Sequence, residues 1–175
     1  MRVPTIITQQ FTLRAHRMSD VASIVRNVND RTIARNTAAI PYPYRPSDAR
    51  TWILRCQRKN RQAVPTDIVW VIDVGGGAVG AIGLHHIKPR HKAELGYWLG
   101  KSYREQGIMS AAVALVTRWG FQHLSLARIY AFTYVYNPIS SQVLLKNGFR
   151  YEGRLRKNTR KSGKLVDVNV YAKVK

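Results

Sequence analysis

A single α/β domain over residues 1–175 is the fold class this sequence predicts, on three observations. Its 175 residues fall within the roughly 100–200 typical of one domain. At 45% hydrophobic and 10% aromatic, the chain can bury a core, which excludes intrinsic disorder despite its charge. Strand-like alternation and helical spacing take turns along it, in the order strand, two helices, three strands, helix, strand, helix, two strands. No repeat, linker or low-complexity tract divides it.

Each element has its own signal. Phe11-Thr12-Leu13-Arg14 alternates as a first strand, and Ser19-Asp20 starts a helix carrying Val21, Ile24, Val25 and Val28 at helical spacing. Residues 36–46 form an aromatic, proline-rich loop. Ser47-Asp48 restarts a helix with Trp52, Ile53 and Cys56, ended by a polar break over 57–66. An apolar run over 67–73 has strand length, and Gly75, Gly76 and Gly77 turn it into a second strand over 78–86. Lys88-Pro89-Arg90-His91 turns back into a strand over 93–99. A helix over 107–124 and a β-branched, aromatic strand over 128–136 follow. A short helix then ends at Asn147-Gly148. The last strands, 149–155 and 165–174, are joined by a basic hairpin containing Ser162-Gly163.

Charge narrows the partners. The sequence has 29 Lys and Arg against 9 Asp and Glu, a formal charge of +20. Its only glutamates are Glu94, Glu105 and Glu152, which argues against carboxylate-cage metal sites. A surface of this sign repels polycations and attracts anions such as a phosphate-bearing cofactor or RNA, although a solvated cationic face explains the same sum. The single cysteine, Cys56, forms no intrachain disulfide and sits among Trp52, Ile53 and Leu54 as an inert thiol. No apolar run approaches the ~18–20 residues of a membrane span. Met1-Arg2-Val3-Pro4 leads into Thr8-Gln9-Gln10 where a signal peptide needs an apolar core, so a cytoplasmic location is expected.

Two motifs are set aside on physical grounds. Gly75-Gly76-Gly77-Ala78-Val79-Gly80 has the glycine spacing of a dinucleotide fingerprint, but it opens a strand rather than a helix, so it reads as a hairpin turn. His85, His86 and His91 are close in sequence, yet adjacent strand residues point to opposite faces and no cysteine or carboxylate pair completes a metal set. No metal is expected. A lone histidine facing a cleft still has the chemistry of a base.

The strand Glu94-Leu95-Gly96-Tyr97-Trp98-Leu99-Gly100 runs through Lys101-Ser102-Tyr103-Arg104-Glu105-Gln106-Gly107-Ile108-Met109-Ser110 into a helix. Gly107 lets the backbone approach a ligand, and the free amides behind it point out from the positive helix end, a ready anion site. An ordinary strand–helix connection with a glycine reads equally well from these residues alone.

Arg104-Glu105-Gln106-Gly107-Ile108-Met109 resembles the pyrophosphate loop of the GNAT superfamily of acyl-CoA N-acyltransferases, with Met109 departing from the usual Gly or Ala. The stretch 94–112 is similar to its RimJ/RimL branch, the ribosomal-protein N-terminal acetyltransferases. So are Asn137-Pro138-Ile139-Ser140, Leu145-Lys146-Asn147-Gly148-Phe149, Glu152-Gly153 with Leu155, and Asp167-Val168-Asn169-Val170-Tyr171. The similarity runs in family order from Leu13-Arg14 to Tyr171.

The resemblance implies a GNAT fold: a mixed, mostly antiparallel central sheet flanked by helices, whose fourth and fifth strands splay apart around acetyl-CoA. Carried over, Trp98 and Leu99 lend backbone groups to pantetheine. Gln106, Gly107, Ile108, Met109 and Ser110 bind pyrophosphate, and Asn137 and Ser140 flank the pantetheine. Lys101, Arg104 and Lys146 neutralise phosphates. The implied chemistry is attack of a neutral primary amine on the thioester, which needs a base, oxyanion stabilisation and an acid for the thiolate. The tyrosine that many GNAT enzymes use as acid is Leu144 here. The branch's serine is matched by Ser140, which as a residue type also suits a helix cap. The branch's glutamate falls at Thr159, which leaves Glu94 as the candidate base, or as a salt-bridge partner for one of many cations.

The implied activity is acetylation of the N-terminal amine of a protein, ribosomal by analogy. An α-amine titrating near ~8 is an easier nucleophile than lysine at ~10.4. Acetylation of an aminoacyl-tRNA or another anionic amine suits the charge as well, and a non-catalytic RNA- or ribosome-binding module is the alternative from another class. Residues 154–164 hold six Lys or Arg in eleven, a surface for RNA phosphates or simply a solvated hairpin. A homodimer is compatible with the resemblance.

Overall fold

The computed structural model describes residues 3–60, 62 and 64–175. Met1 and Arg2 of the N-terminal reading, and Arg61 and Ala63 of the polar break, lie outside these.

One eight-stranded sheet organises the chain: β1 (Ile6–Ile7), β2 (Thr12–Arg14), β3 (Ile68–Val74), β4 (Gly77–Lys88), β5 (Lys92–Leu99), β6 (Arg128–Tyr134), β7 (Arg150–Lys161) and β8 (Lys164–Val174). Their spatial order is β1-β2-β3-β4-β5-β6-β8-β7. Every pairing is antiparallel except β5 with β6. On one face lie α1 (Val21–Val28), α2 (Arg31–Asn36) and α3 (Pro46–Asn60); on the other lie α4 (Ile108–His123) and α5 (Pro138–Lys146).

The period of two in the strands makes both layers. In β3, Ile68, Trp70 and Ile72 join Val113, Val116 and Leu144 under α4 and α5, while Val69 and Val71 join Ile24, Ile33, Ile53 and Cys56 under α1–α3. Two hairpins turn on two consecutive left-handed residues, Gly75-Gly76 between β3 and β4 and Ser162-Gly163 between β7 and β8. The glycine run is thus a hairpin turn, as its place before a strand implied.

The elements differ from the sequence reading at their edges. β1 and α2 were absent from it. Two residues are too few to show a period, and α2 buries only Ile33, with Asp30 capping it by accepting from the Thr32 amide (2.7 Å). Helix α3 starts at Pro46 rather than Ser47, since proline's fixed φ suits a first helical residue, and it runs through the expected polar break to Asn60. β7 continues past 155 to Lys161 across an irregularity between Leu155 and Thr159. There Lys157 is left-handed and its amide donates to Asp167 (2.7 Å).

With β1 added, the expected fourth and fifth strands are β5 and β6. Their register holds only at Lys92↔Arg128, Ala93↔Ile129 and Glu94↔Tyr130. Beyond Glu94 the two strands part, so the sheet carries the expected splay.

Candidate active site

The gap between β5 and β6 is lined by backbone on one side. The Gly100 amide donates to Val79 O (2.8 Å), so antiparallel alternation directs the polar backbone of Trp98 and Gly96 to β4. The N–H and C=O groups of Leu95, Tyr97 and Leu99 point the other way, into the gap. Leu99 is where the sequence reading put a backbone partner; Trp98 instead offers its half-turned neighbour Tyr97 for that role. The Trp98 ring packs on the α1–α3 face, 6.5 Å from the Trp52 ring.

Across the gap, Tyr97 of β5 meets Ser140 of α5. The Tyr97 hydroxyl lies 2.8 Å from Ser140 Oγ and 3.2 Å from its carbonyl oxygen. Burial pushes the Tyr97 phenol up to about 12, so it keeps its proton at neutral pH. Ser140 does not cap its helix. Asn137 does, accepting the Ser140 amide (3.4 Å), with Pro138 at the first helical position. The serine hydroxyl is therefore free for Tyr97, and the asparagine side chain is committed to the cap. Leu144 is fully buried in the core.

Tyr97 escaped the sequence reading, although a signal was present. Ala93, Leu95 and Leu99 are apolar at alternate positions of β5, and a tyrosine at the remaining one puts a hydroxyl on their face.

The loop entering α4 is built to leave donors open. Glu105 and Gly107 are both left-handed (φ 63° and 79°), and a Cβ on Gly107 would meet nothing within 4 Å. No side chain caps the helix, so the amides of Ile108, Met109 and Ser110 stay available at its positive end. This donor set fits a diphosphate. Met109, the departure from the family motif, turns its side chain into the core and leaves its amide unaffected. Gln106 is anchored by its own Nε2 to Ser102 O (2.9 Å), while its carbonyl accepts from Gln10 (2.9 Å). Asn147 ties the end of α5 to this loop through Ser110 Oγ (3.0 Å).

The cations divide. Arg104 donates to Leu99 O (3.2 Å) and Asp30 (2.9 Å), so its guanidinium straps the end of β5 to the start of α2. Lys101 and Lys146 are exposed. In the hairpin, Arg154 pairs with Asp167 (2.6 Å) and Arg160 donates to Gly163 O (3.1 Å), while Arg156, Lys157 and Lys164 are exposed. Thr159 faces Val166 across the ladder.

Glu94 lies on the other face of the sheet, at the last paired position before the splay. Its carboxylate is 3.3 Å from His86 Nδ1. His85 and His86 take separate partners, Asp67 and Glu94, and His91 is exposed in the β4–β5 turn. Among the described residues, no three His, Cys, Asp or Glu side chains form a group that could hold a metal. None of the described helices is long and apolar enough to cross a membrane.

The profile of the acetyltransferase (GNAT) domain matches residues 10–150. The chain belongs to the GNAT family. Its GNAT relatives include the ribosomal-protein-serine acetyltransferase of Escherichia coli (strain K12), 39% identical over 97 residues, which are 55% of this chain and 54% of that protein. YoaA of Bacillus subtilis (strain 168), an uncharacterized N-acetyltransferase, is 38% identical over 98 residues, 55% of each chain. The chain thus spans about half the length of these two relatives. Among solved GNAT structures, Mycobacterium smegmatis RimJ in complex with CoA-disulfide superposes with a TM-score of 0.87 at 24% identity, covering 99% of this chain and 90% of that one. A RimL structure with coenzyme A gives 0.85 at 23%, covering 99% and 98%. At such identities the likeness is one of fold.

Proposed function

We propose that this chain, acting as one domain, transfers an acetyl group from acetyl-CoA to a primary amine, the N-terminal amine of a protein. The observation that carries the reading is the splay itself, bridged by Tyr97 and Ser140 beside an uncapped helix end. Acetyl-CoA supplies the activated thioester. The amides of Ile108, Met109 and Ser110 hold the diphosphate, and the gap-facing backbone of Leu95, Tyr97 and Leu99 aligns the pantetheine. Ser140 hands its proton to the departing sulfur and recovers one through Tyr97, which stays protonated at neutral pH. Exposed Lys101 and Lys146 add positive charge near the loop.

The acceptor enters from the face of α1–α3, where Glu94, Tyr130 and Phe132 are presented by β5 and β6. Glu94, the carboxylate closest to the splay, attracts the amine in its ammonium form. The E. coli relative's name supports a ribosomal-protein acceptor. The basic charge suits a protein already seated on RNA, with Arg156, Lys157 and Lys164 of the β7–β8 hairpin against phosphates. A cytoplasmic enzyme needing no metal is the corresponding setting.

The deciding experiment titrates acetyl-CoA by thermal shift and follows CoA release with serine- and alanine-terminated peptides and with charged tRNA. Stabilisation by acetyl-CoA and turnover of a peptide is the expected result. Turnover of charged tRNA alone moves the acceptor to aminoacyl-tRNA. Salt-sensitive RNA binding with no stabilisation by acetyl-CoA and no turnover leaves only an RNA-binding module.

A further inference from the structure

The face of the sheet opposite Tyr97 and Ser140 holds a second hydrogen-bonded chain. Lys59 of α3 donates to Asp67 Oδ2 (2.6 Å), Thr66 Oγ1 donates to the same oxygen (2.9 Å), and Asp67 Oδ1 lies 2.8 Å from His85 Nδ1. Burial alone would raise the Asp67 carboxyl, but its bonds to His85, Lys59 and Thr66 hold it well below the usual carboxylate range. Asp67 is therefore an anion that only accepts. It fixes the His85 tautomer with the proton on Nδ1 and the lone pair on Nε2.

Two glycines make room for that lone pair. Gly83 and Gly96 are register partners on β4 and β5, and a Cβ would stand 3.0 Å from His85 Nε2 at Gly83 and 3.4 Å at Gly96. The ring thus leans along the β4–β5 ladder, with Nε2 nearest Gly83 and its Cδ2 edge toward Gly96. Gly96 is two residues past Glu94, where the pairing with β6 stops, so the His85 ring is level with the start of the splay, on the β4 side of β5. The His85 side chain is 33% exposed, against 9% for Asp67. One end of the dyad is sheltered and the other is open.

We propose that His85 is the general base of this site, taking the proton of the acceptor amine on Nε2, with Asp67 as its positioning residue. This rests on the acetyltransferase reading. The amine nitrogen forms a bond to the acetyl carbon, and the carbon–sulfur bond breaks. One N–H proton passes to His85, the Ser140 hydroxyl gives its proton to sulfur, and solvent restores both groups. Base and acid stand on opposite faces of the sheet, so neither competes for the other's proton. Charged and titratable groups facing His85 are Asp67 from the segment before β3, Lys59 from α3 and Glu94 from β5. His86, on its own strand, is turned to Glu94, whose register partner on β6 is Tyr130.

The test compares kcat/KM against pH for wild type, His85→Gln, Asp67→Asn, Glu94→Gln and Ser140→Ala, using acetyl-CoA and a serine-terminated peptide. His85→Gln should lower kcat about 100-fold at neutral pH. It should remove one ionisation from the acidic limb, leaving that of the peptide amine, while binding acetyl-CoA like wild type in a thermal-shift titration. Asp67→Asn should lower kcat about tenfold, because the histidine loses the anion that orients it. Ser140→Ala should slow turnover with the limb intact, and Glu94→Gln should raise KM for the peptide several-fold with the limb intact. An unchanged limb in His85→Gln overturns the assignment, and so does loss of the limb in Glu94→Gln alone. Independently of turnover, ¹⁵N NMR should find the His85 proton on Nδ1; a proton on Nε2 at neutral pH overturns the base. If wild type binds acetyl-CoA and acetylates neither peptide nor charged tRNA, the acetyltransferase reading itself has failed.

Discussion

The two faces of the splay are built from different chemistry. Beneath α4 and α5 the polar contact at the gap is a pair of hydroxyls, Tyr97 and Ser140, set among Leu95, Leu99 and Leu144. Beneath α1–α3 the polar groups are ionic: Lys59, Asp67, His85, His86 and Glu94. A half-buried hydroxyl pair carries no formal charge, so it keeps its protons and is suited to donate one when an anion develops nearby. An ionic chain ending in an imidazole is suited to receive a proton instead. On the proposed reading, the sheet keeps these two roles apart.

The largest effect that should separate the faces is on turnover. Ser140→Ala should lower kcat about 100-fold, within the ~10²–10⁴ range of a lost acid or base, with little change in acetyl-CoA affinity. Tyr97→Phe should fall in the same direction by a smaller factor. Steady-state kinetics at saturating acetyl-CoA check both, and an unchanged kcat in Ser140→Ala removes the acid from this face.

The next effect concerns stability on the α3 side. His16 is 3% exposed, packs edge-on against Trp52 with ring centroids 4.5 Å apart, and has neither ring nitrogen hydrogen-bonded. Burial lowers its pKa to about 4, below the ordinary 6.5, so the fold holds it neutral. The stabilisation is complete above about 6.5 and is lost as pH falls towards 4, because the unfolded chain then binds the proton first. The loss amounts to about 3 kcal/mol. Denaturant melts across this range should show it, and His16→Phe should flatten the dependence.

Two smaller changes test the loop that serves both faces. Gly107→Ala forces a left-handed φ on a side chain, costing about 1 kcal/mol even though the space is open. It should weaken acetyl-CoA binding several-fold in a titration. Arg104→Ala removes a half-exposed bridge to Asp30, worth at most about 1 kcal/mol. It should leave the KM for acetyl-CoA within about threefold of wild type. A tenfold rise would return Arg104 to the phosphates, the role its sequence position suggested.

How much was legible from the residues follows from how local each signal is. The anion loop was readable because its parts are consecutive: a glycine, free amides and the helix behind them. The glycine hairpin was readable for the same reason. Ser140 was located by resemblance, and only the structure showed that Asn137, not Ser140, caps the helix. Helix α2 left no periodic trace, since a six-residue helix with one buried side chain resembles a loop. Tyr97 was legible only as an odd member of an apolar row.

The sequence by itself determined the order of elements, the turns and the loop that presents amides to an anion. These depend on backbone preferences and spacing within a few residues. Only the tertiary structure decided where β5 leaves β6, that Tyr97 finds a serine 43 residues away, and that Asp67 reaches His85 18 residues on. Such pairings depend on how far two strands diverge and which glycines let a ring lie flat between them. They are properties of packed layers, set by contacts among all the elements together.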